Sequence, residues 1–445
     1  SVGFKLILLR YLMFFRLLCL SWCVVTVTSF GGIKSHQCSA KDELNDAISS
    51  GGTFDLTAQR GVILTSGQTS TTKFTLQSGG LQETDVLKPV FSASKLVSSI
   101  LINRIVEEEG SQLDLDAPVS SYVSWWTADP QDARSGVTLR HMLSMTSGFG
   151  SDPVGEHGPP TCEMQYMLPC VDDLMGSVAA SGFSCSILKG FGCDFDLSNV
   201  DPAIPKDTLV TTLCPASCGV CENRMTQESC AKDLYEKQFG KIAEGMFGSF
   251  PNLDPADVKV GSHFSYGESN WVMAIHTVEK ATGQTWNALF KKYLANPLNL
   301  ATSCSFPDVP LIDGGSMLEC SSADLSKIVA AYFGGEIVKQ NTMNEMEKPQ
   351  TKIIGAEIPM LSTSGGHYGL GMWWACTDES CSDNYVHSIG ADGVAPIIDR
   401  VGGYWALIFR EGGMFLGQPP GQVATYKAMP TVISSLRKVY RTCQL

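Results

Sequence analysis

The sequence is poor in charged residues and has no long apolar run beyond its first 30 residues. Lys and Arg number 32 against 45 Asp and Glu, which gives a formal net charge of −13. A nucleic-acid-binding protein would carry a basic face, so this balance argues against a nucleic-acid partner. The absence of a later apolar stretch of about 18 residues excludes a protein with several membrane-spanning helices. The 44% hydrophobic content over 445 residues is nevertheless enough for a large folded core.

Several motifs that carry chemistry are also absent. No Gly-x-Ser-x-Gly occurs, which argues against an α/β-hydrolase. The seven His residues show no spacing typical of a zinc site, so we expect no metal and no other cofactor. No Asn-x-Ser/Thr sequon is present, and N-glycosylation is therefore not expected.

The first 29 residues combine basic and apolar character in the order typical of a secretory signal peptide. Three basic residues precede an apolar stretch over 17–27, and small residues follow. Apolar residues also fill 4–15, so an uncleaved signal anchor is the alternative, and membrane attachment is expected only through this segment. We therefore predict a secreted protein, or one anchored and facing the lumen or exterior. Removal of residues 1–29 takes two of the 16 cysteines and leaves 14, an even number that favours disulfides.

Cysteines are absent between Cys38 and Cys162 and concentrated directly afterwards. This distribution predicts a small disulfide-rich module inserted into a larger domain. We place the insert at 162–230 and the larger domain at 39–158 and 232–445. The disulfide candidates of the insert are Cys162, Cys170, Cys185, Cys193, Cys214, Cys218, Cys221 and Cys230. The first and last of them would clamp the base of the module, and the spacing of the other six does not decide how they pair.

Hydrophobic periodicity predicts an α+β architecture. Residues 60–78 alternate in polarity as one or two strands do, and 403–411 is an apolar strand. Because strands lie near both ends of the chain with helices between them, we expect the terminal segments to pair in one sheet. Helices are predicted over 92–108, 269–282, 285–295 and 421–441.

A Ser-x-x-Lys motif, Ser92 to Lys95, lies where an extended segment meets a predicted helix. A spacing of three places both side chains on one helical face. The positive end of the helix disfavours the ammonium form of Lys95 and stabilises a nearby oxyanion. A hydroxyl beside a partly neutral amine is an activated nucleophile. The same pattern also occurs at ordinary helix starts with a solvated Lys, so the motif alone leaves both interpretations open.

The segments around this motif strongly resemble the superfamily of serine β-lactamases and penicillin-binding proteins. The resemblance is carried by Ser92-x-x-Lys95, by LDLDAPV at 113–119, by TLRHML at 138–143 and by Thr-Ser-Gly at 146–148. Further similar segments are 264–283, 296–300, 314–329, 367–374 and 388–393. The similarity is greatest to the branch of class C β-lactamases, esterases and D-aminopeptidases. It implies an α+β fold with a β-lactamase-like antiparallel sheet flanked by helices, a helical subdomain, and here the small disulfide-rich insert.

The resemblance also implies catalytic roles. Ser92 would attack an acyl carbon, and Lys95 would accept its proton. Tyr266 aligns with the family tyrosine that relays a proton to the leaving group. The backbone N–H groups of Ser92 and Ala391 would form the oxyanion hole, where each donor contributes about 3–4 kcal/mol. The implied substrate is a small molecule or peptide, such as an ester, a lactam or a D-amino-acid amide.

Two positions depart from the family pattern. The second motif is usually Tyr-x-Asn, but Glu268 stands in the place of the Asn, where it would pair with Lys95 and raise its pKa. Asn270 is the second choice for that place. The third motif has 388–390 where a Lys or His is usual, and His387 would enter the cleft only through a bulge. The expected substrate contacts are Glu268, Asn270, His387, Ser388 and Gly390.

The insert resembles a ShK-type toxin-like domain, most specifically in Cys214-Pro-Ala-Ser-Cys218-Gly-Val-Cys221. Its few Lys and more numerous Asp do not suit a blocker of a cation pore. We interpret it as an appended binding or stabilising element. Two functions follow for the whole chain. One is a secreted serine acyl-hydrolase, and the other is a catalytically silent protein of the same fold whose cleft and insert bind a ligand or partner.

Overall fold

The structure is a computed structural model that describes most of the chain beyond residue 38. The described residues are 39–49, 61–79, 86–108, 110–150, 182–200, 208–214, 216–219, 225–240, 257–352, 367–376, 382–411 and 421–443, with 172, 178, 204 and 206. The predicted signal segment lies outside them, as do the candidate cysteines Cys162, Cys170 and Cys221.

An antiparallel sheet forms the centre of the fold. The strands of the described residues are β1 (Gly61–Gln68), β2 (Thr71–Gly79), β3 (Lys88–Pro89), β4 (Glu319–Cys320), β5 (Thr351–Lys352), β6 (His367–Tyr368), β7 (Trp373–Cys376), β8 (Asn384–His387), β9 (Ala395–Asp399) and β10 (Tyr404–Glu411). Eight of these described strands join in the order β2-β1-β10-β9-β8-β7-β6-β5, and β3 pairs with β4 separately.

Helices pack around the sheet. Those in the described part of the chain are α1 (Ser39–Ser49), α2 (Ser94–Val106), α3 (Leu139–Leu143), α4 (Cys185–Lys189), α5 (Val210–Leu213), α6 (Gln227–Lys237), α7 (Ser269–Thr282), α8 (Trp286–Phe290), α9 (Ser322–Phe333), α10 (Gln340–Glu347) and α11 (Gly421–Thr442). A π-helical turn, Lys291–Ala295, follows α8. No helix among the described residues is long and apolar enough to span a membrane.

Segments from the two ends of the described chain meet in the sheet, as the sequence predicts. β1 pairs with β10 from Gly61↔Glu411 to Gly67↔Trp405. The Ser66 hydroxyl lies 2.9 Å from that of Tyr440, which joins β1 to α11. Helices α9 and α11 both contact β10, and α1 contacts α11. The predicted α+β fold, an antiparallel sheet flanked by helices, is confirmed.

Helix α2 lies in the core and begins with the Ser-x-x-Lys motif. Its residues Leu96, Val97, Ile100 and Leu101 are buried, which explains why an apolar sequence forms a helix here. The helix begins two residues later than the predicted start, because 91–93 form a 3₁₀ turn. Phe91, just before the motif, has a φ of 47°, a left-handed conformation that is strained for a bulky side chain.

The described part of the insert has a small hydrophobic cluster of its own. The disulfides Cys185–Cys214 and Cys193–Cys218 cross-link this part of the insert. Among the six inner candidate cysteines in chain order, the second therefore pairs with the fourth and the third with the fifth. The insert boundaries stay a prediction. The cluster consists of Val178, Cys185, Leu188, Leu197, Val210 and Cys214.

Other cysteines are also in disulfides. Cys304 pairs with Cys320 in the main body of the fold. Cys230, Cys376 and Cys443 are disulfide-bonded as well.

Candidate active site

Ser92 and Lys95 lie at the start of α2 with their side chains in contact. Lys95 Nζ donates to Ser92 Oγ over 3.2 Å. The 3₁₀ turn leaves Ser92 half-buried, whereas Lys95 is fully buried. The half-buried hydroxyl group of Ser92 therefore lies in contact with the buried amine of Lys95.

Lys95 has three further oxygen partners. Its Nζ lies 3.1 Å from Glu268 Oε1, 3.0 Å from Glu268 Oε2 and 3.0 Å from the Gly315 carbonyl oxygen. Burial opposes the ammonium form, but Glu268, Tyr266 and Asp313 outweigh burial and raise the pKa of Lys95 above its usual range. The ion pair expected between Glu268 and Lys95 is present in this geometry. The expectation of a partly neutral amine does not hold, because the negative charge of Glu268 favours the ammonium form of Lys95.

Tyr266 lies against this ion pair. Lys95 Nζ is 4.8 Å from the centre of the Tyr266 ring, and Trp373 stacks on that ring with centroids 5.1 Å apart. Burial raises the pKa of Tyr266, and Glu268 adds to the rise, whereas Lys95 and a hydrogen bond with Ser92 oppose it. Tyr266 is therefore a neutral phenol that can donate or relay a proton.

Glu268 is the exposed end of the ion pair. Its side chain is 29% exposed, and that of Lys95 is 0% exposed. Glu268 directly precedes α7, whose N-terminal end favours a negative charge. A Cβ on Gly315 would lie 2.7 Å from Glu268 Oε2 and 2.6 Å from Trp271 Cδ1. A larger residue at position 315 would therefore require Glu268 or Trp271 to shift.

Asp313 is a buried carboxyl group that the sequence does not single out. It accepts hydrogen bonds from Gly315 N, over 2.8 Å, and from Ser316 Oγ. Burial and the nearby Glu268 raise the pKa of Asp313 well above its usual range. The similarity of 314–329 to a recurring family segment is the signal that points to this loop, but it does not identify Asp313.

The turn that follows β8, 388–393, lies directly beside Ser92. Ser388 Oγ donates to the Ser92 carbonyl oxygen over 2.7 Å. A Cβ on Gly390 would lie 2.3 Å from the Val90 carbonyl oxygen, so the turn approaches the chain just before the nucleophile. Ser388 is 2% exposed and Gly390 is buried. Ser388 therefore fixes the turn against Ser92, and the substrate contacts expected of Ser388 and Gly390 stay predictions.

Two further features of this turn concern the oxyanion hole. Asp392 forms an ion pair with Lys88 of β3, and both side chains are largely buried. This pair ties the turn to the strand that precedes Ser92. Within the described ranges, the backbone N–H groups of Ser92 and Ala391 donate to no other residue. The role of both donors in an oxyanion hole stays a prediction of the resemblance.

Asn270 lies inside the fold, contrary to its expected contact with substrate. It is 1% exposed, and its Oδ1 accepts from Ser147 Oγ over 2.6 Å. Its Nδ2 donates to the carbonyl oxygens of Phe149 and Ser265. These bonds join α7 to its neighbouring loops and leave Glu268, two residues earlier, as the residue at Lys95.

His387 is also buried, and the expected bulge is absent. It pairs in regular register with Trp373 and Ile397. Its ring centroid lies 5.6 Å from that of Tyr426 in α11, and 1% of the residue is exposed. Burial lowers the pKa of His387 to about 3. The side chain packs against a helix, so a substrate cannot reach it.

Comparisons with known proteins agree with this architecture. The Beta-lactamase family model matches residues 67–182, which include Ser92 and Lys95. No curated protein matches the chain. EstCE1, a hydrolase with promiscuous acyltransferase activity, is 13% identical, with 89% of this chain and 100% of that chain covered and a TM-score of 0.58.

Two further solved structures show the same fold. D-amino acid amidase from Ochrobactrum anthropi SV3 is 12% identical, covering 90% of this chain and 99% of that chain with a TM-score of 0.55. Simvastatin synthase from Aspergillus terreus is 14% identical, covering 92% and 100% with a TM-score of 0.55. The chain therefore has the β-lactamase-like fold, and its residues 67–182 match the Beta-lactamase family model.

Proposed function

We propose that the protein is a secreted serine acyl-hydrolase that forms an acyl-enzyme on Ser92. One observation carries the proposal. The half-buried Ser92 Oγ lies 3.2 Å from the buried Lys95 Nζ, which contacts Tyr266 and Glu268 in turn. A hydroxyl in contact with a proton-transfer network, beside free backbone donors, suits nucleophilic acyl transfer.

Each residue of the candidate site has its own role in the proposed reaction. Ser92 Oγ attacks the acyl carbon and gives its proton to the Lys95–Glu268 pair. The N–H groups of Ser92 and Ala391 stabilise the oxyanion. Tyr266, as a neutral phenol, relays a proton from Lys95 to the leaving group. Water then cleaves the acyl-enzyme and restores Ser92.

The substrate is a small ester, a lactam, or a D-amino-acid amide or peptide. A D-amino acid amidase and a hydrolase with acyltransferase activity share the fold, which supports these classes. We place the chain in the branch of class C β-lactamases, esterases and D-aminopeptidases on its sequence motifs. The half-buried ring of Tyr266, which lies beside Lys95, favours an acyl group with an apolar or aromatic part.

The insert is a ShK-type module that adds a binding or stabilising surface to the hydrolase. Its two disulfides and its separate apolar cluster support a self-contained unit. Disulfides persist in oxidising compartments, which supports secretion.

A second function, a catalytically silent binding protein, is favoured by the ion pair itself. An ammonium at Lys95 cannot accept the Ser92 proton unless it first loses one. On this alternative the cleft retains a ligand without cleaving it.

Covalent labelling separates the two functions. Purified, disulfide-intact protein is incubated with a fluorophosphonate probe and with a labelled penicillin, and intact mass and peptide mapping locate any adduct. We expect an adduct on Ser92 that Ser92→Ala abolishes. Ser124→Ala, at an exposed serine outside the site, serves as the matched control and should label like the wild type. A folded protein that forms no adduct with either probe would favour the silent binding protein.

A further inference from the structure

We propose that Glu268 is the proton acceptor of the reaction: it takes the Ser92 proton through Lys95 and then takes a proton from the hydrolytic water. This inference rests on the proposed function and deepens it. In the family motif an Asn stands at this place, and an amide cannot accept a proton at neutral pH. The substitution therefore changes which group in the site can act as a base.

Three other ionisable groups near Ser92 and Lys95 are less suited to this role. Lys95 is a buried ammonium held by two oxygens of Glu268 and by a carbonyl. Tyr266 is packed between Lys95 and Trp373 as a neutral phenol. Asp313 is fully buried, and both of its oxygens accept hydrogen bonds within its own loop.

Glu268 has the two properties that the role needs. Its carboxylate contacts Lys95 Nζ at 3.0 and 3.1 Å, so a proton can pass between them. Its side chain is 29% exposed, so water can also reach it. Among the charged groups that the structure places at Lys95, Glu268 combines contact with solvent access.

During acylation each proton that leaves one group is taken up by another. Lys95 passes one proton to Glu268 and accepts the Ser92 proton across 3.2 Å, while Ser92 Oγ bonds to the acyl carbon. Collapse of the tetrahedral intermediate breaks the bond to the leaving group. The leaving group takes a proton from Lys95 through Tyr266, and Lys95 recovers a proton from Glu268. Glu268 is again a carboxylate, and the acyl group remains on Ser92.

Deacylation reverses the direction of proton flow. Glu268 takes a proton from water as its oxygen bonds to the acyl carbon. The bond between that carbon and Ser92 Oγ breaks, and Ser92 Oγ takes a proton from Lys95. Lys95 recovers its proton from Glu268, so the resting ion pair is restored and one water is consumed.

The test measures the two half-reactions separately. Wild type and Glu268→Gln are mixed with a p-nitrophenyl ester, and stopped-flow absorbance gives acylation while quenched intact mass gives deacylation. Glutamine keeps the size of the side chain but cannot act as a base. General-base catalysis contributes about 10²–10⁴-fold, so we expect deacylation at least about 100-fold slower and an acyl-enzyme that accumulates on Ser92.

Controls separate a chemical role from a structural one. Glu228→Gln removes a carboxylate that binds two lysines on the surface, and it should leave both rates unchanged. Glu268→Ala removes the carboxylate altogether, and added formate should restore its deacylation by at least about tenfold. A structural role would not respond to formate, so this result remains decisive even if the Gln variant folds poorly.

Each outcome has a distinct meaning. Deacylation by Glu268→Gln that equals or exceeds the wild-type rate would overturn the proposal, because Glu268 would then only hold Lys95 charged. Loss of deacylation in Asp313→Asn with a normal rate in Glu268→Gln would move the role to Asp313. Failure of the wild type to form any Ser92 adduct would instead reject the proposed function.

Discussion

At the scale of single residues, close packing decides the geometry of the candidate site. Gly315 separates the Glu268 carboxylate from the buried Trp271 ring, and a methyl group there would lie under 3 Å from both. Trp271 is 0% exposed, so a shift of its ring would disturb the buried core around it. The position of Glu268, the proposed proton acceptor, therefore depends on the lack of a side chain at Gly315.

Gly315→Ala should displace Glu268 from Lys95. Overpacking of this kind costs about 1–3 kcal/mol, so we expect a lower free energy of unfolding and slower turnover of an ester. Urea unfolding and steady-state hydrolysis measure the two effects. Gly136→Ala is the matched control, because a Cβ at Gly136 meets nothing within 4 Å. Equal stability and activity of the two variants would contradict the packing argument.

The burial of His387 predicts how the free energy of unfolding depends on pH. Burial holds its pKa at about 3 in the folded protein, whereas an unfolded chain titrates near about 6.5. Below that pH the unfolded chain binds a proton that the folded chain does not, so stability is lost as the pH falls toward 3, by at most about 1.4 kcal/mol per unit. His387→Leu should make the acid side of a plot of unfolding free energy against pH shallower.

The same variant should cost little stability at pH 7. Neither ring nitrogen of His387 has a hydrogen-bond partner among the described residues, so Leu removes an unsatisfied polar group. An unchanged acid slope in urea unfolding from pH 4 to 7 would show that His387 does not control this loss.

At the scale of elements, an ion pair between Asp392 and Lys88 helps to hold the turn 388–393 in place. Asp392 binds Lys88 of β3, with side chains 6% and 13% exposed. Asp392→Asn leaves the Lys88 charge without its partner, and breaking a buried pair costs about 3–5 kcal/mol. We expect a lower melting temperature and labelling of Ser92 by fluorophosphonate at least about tenfold slower, since the turn carries Ala391.

An exposed ion pair provides the control for this variant. Glu43 and Lys438 are 57% and 52% exposed, and such pairs contribute about 0–1 kcal/mol. Glu43→Gln should therefore change neither the melting temperature nor the labelling rate. Similar effects of the two substitutions would mean that the Lys88–Asp392 pair does not hold the turn.

The elements themselves were largely predictable from the sequence, because their signals are local. Apolar periodicity locates β1, β10 and α2. The pairing of Ser92 with Lys95 follows from helical spacing in the same way. The errors arise where distant segments meet. The orientation of His387, the bonds of Asn270 and the presence of Asp313 depend on contacts across the fold that no single segment encodes.

At the scale of the whole molecule, the described insert and the main body bury separate hydrophobic clusters. The cluster of the insert is small, and clusters of this size need disulfides to remain folded. The Cys304–Cys320 disulfide of the main body is better protected, because its cysteines are 2% and 0% exposed.

Mild reduction should therefore unfold the insert first. We expect a lysine-specific protease to cut at Lys189 or Lys206, both exposed, within the reduced protein and to leave the oxidised protein intact. Gel electrophoresis and mass spectrometry locate the cuts, and tryptophan fluorescence reports the main body. First cleavage within the main body, with the insert intact, would contradict two separately stabilised units.

The pairing of β1 with β10 also has a consequence for how the chain folds during synthesis on the ribosome. Gly67 lies beside Trp405 in the finished sheet, yet at about 5–20 residues per second a ribosome needs roughly 20–70 s to travel from one to the other. Throughout that interval the edge of β1 lacks its partner and requires protection from neighbouring nascent chains. The turn at 388–393, which lies against Ser92, is also made late in synthesis, so the candidate site is assembled only when nearly the whole chain has been made.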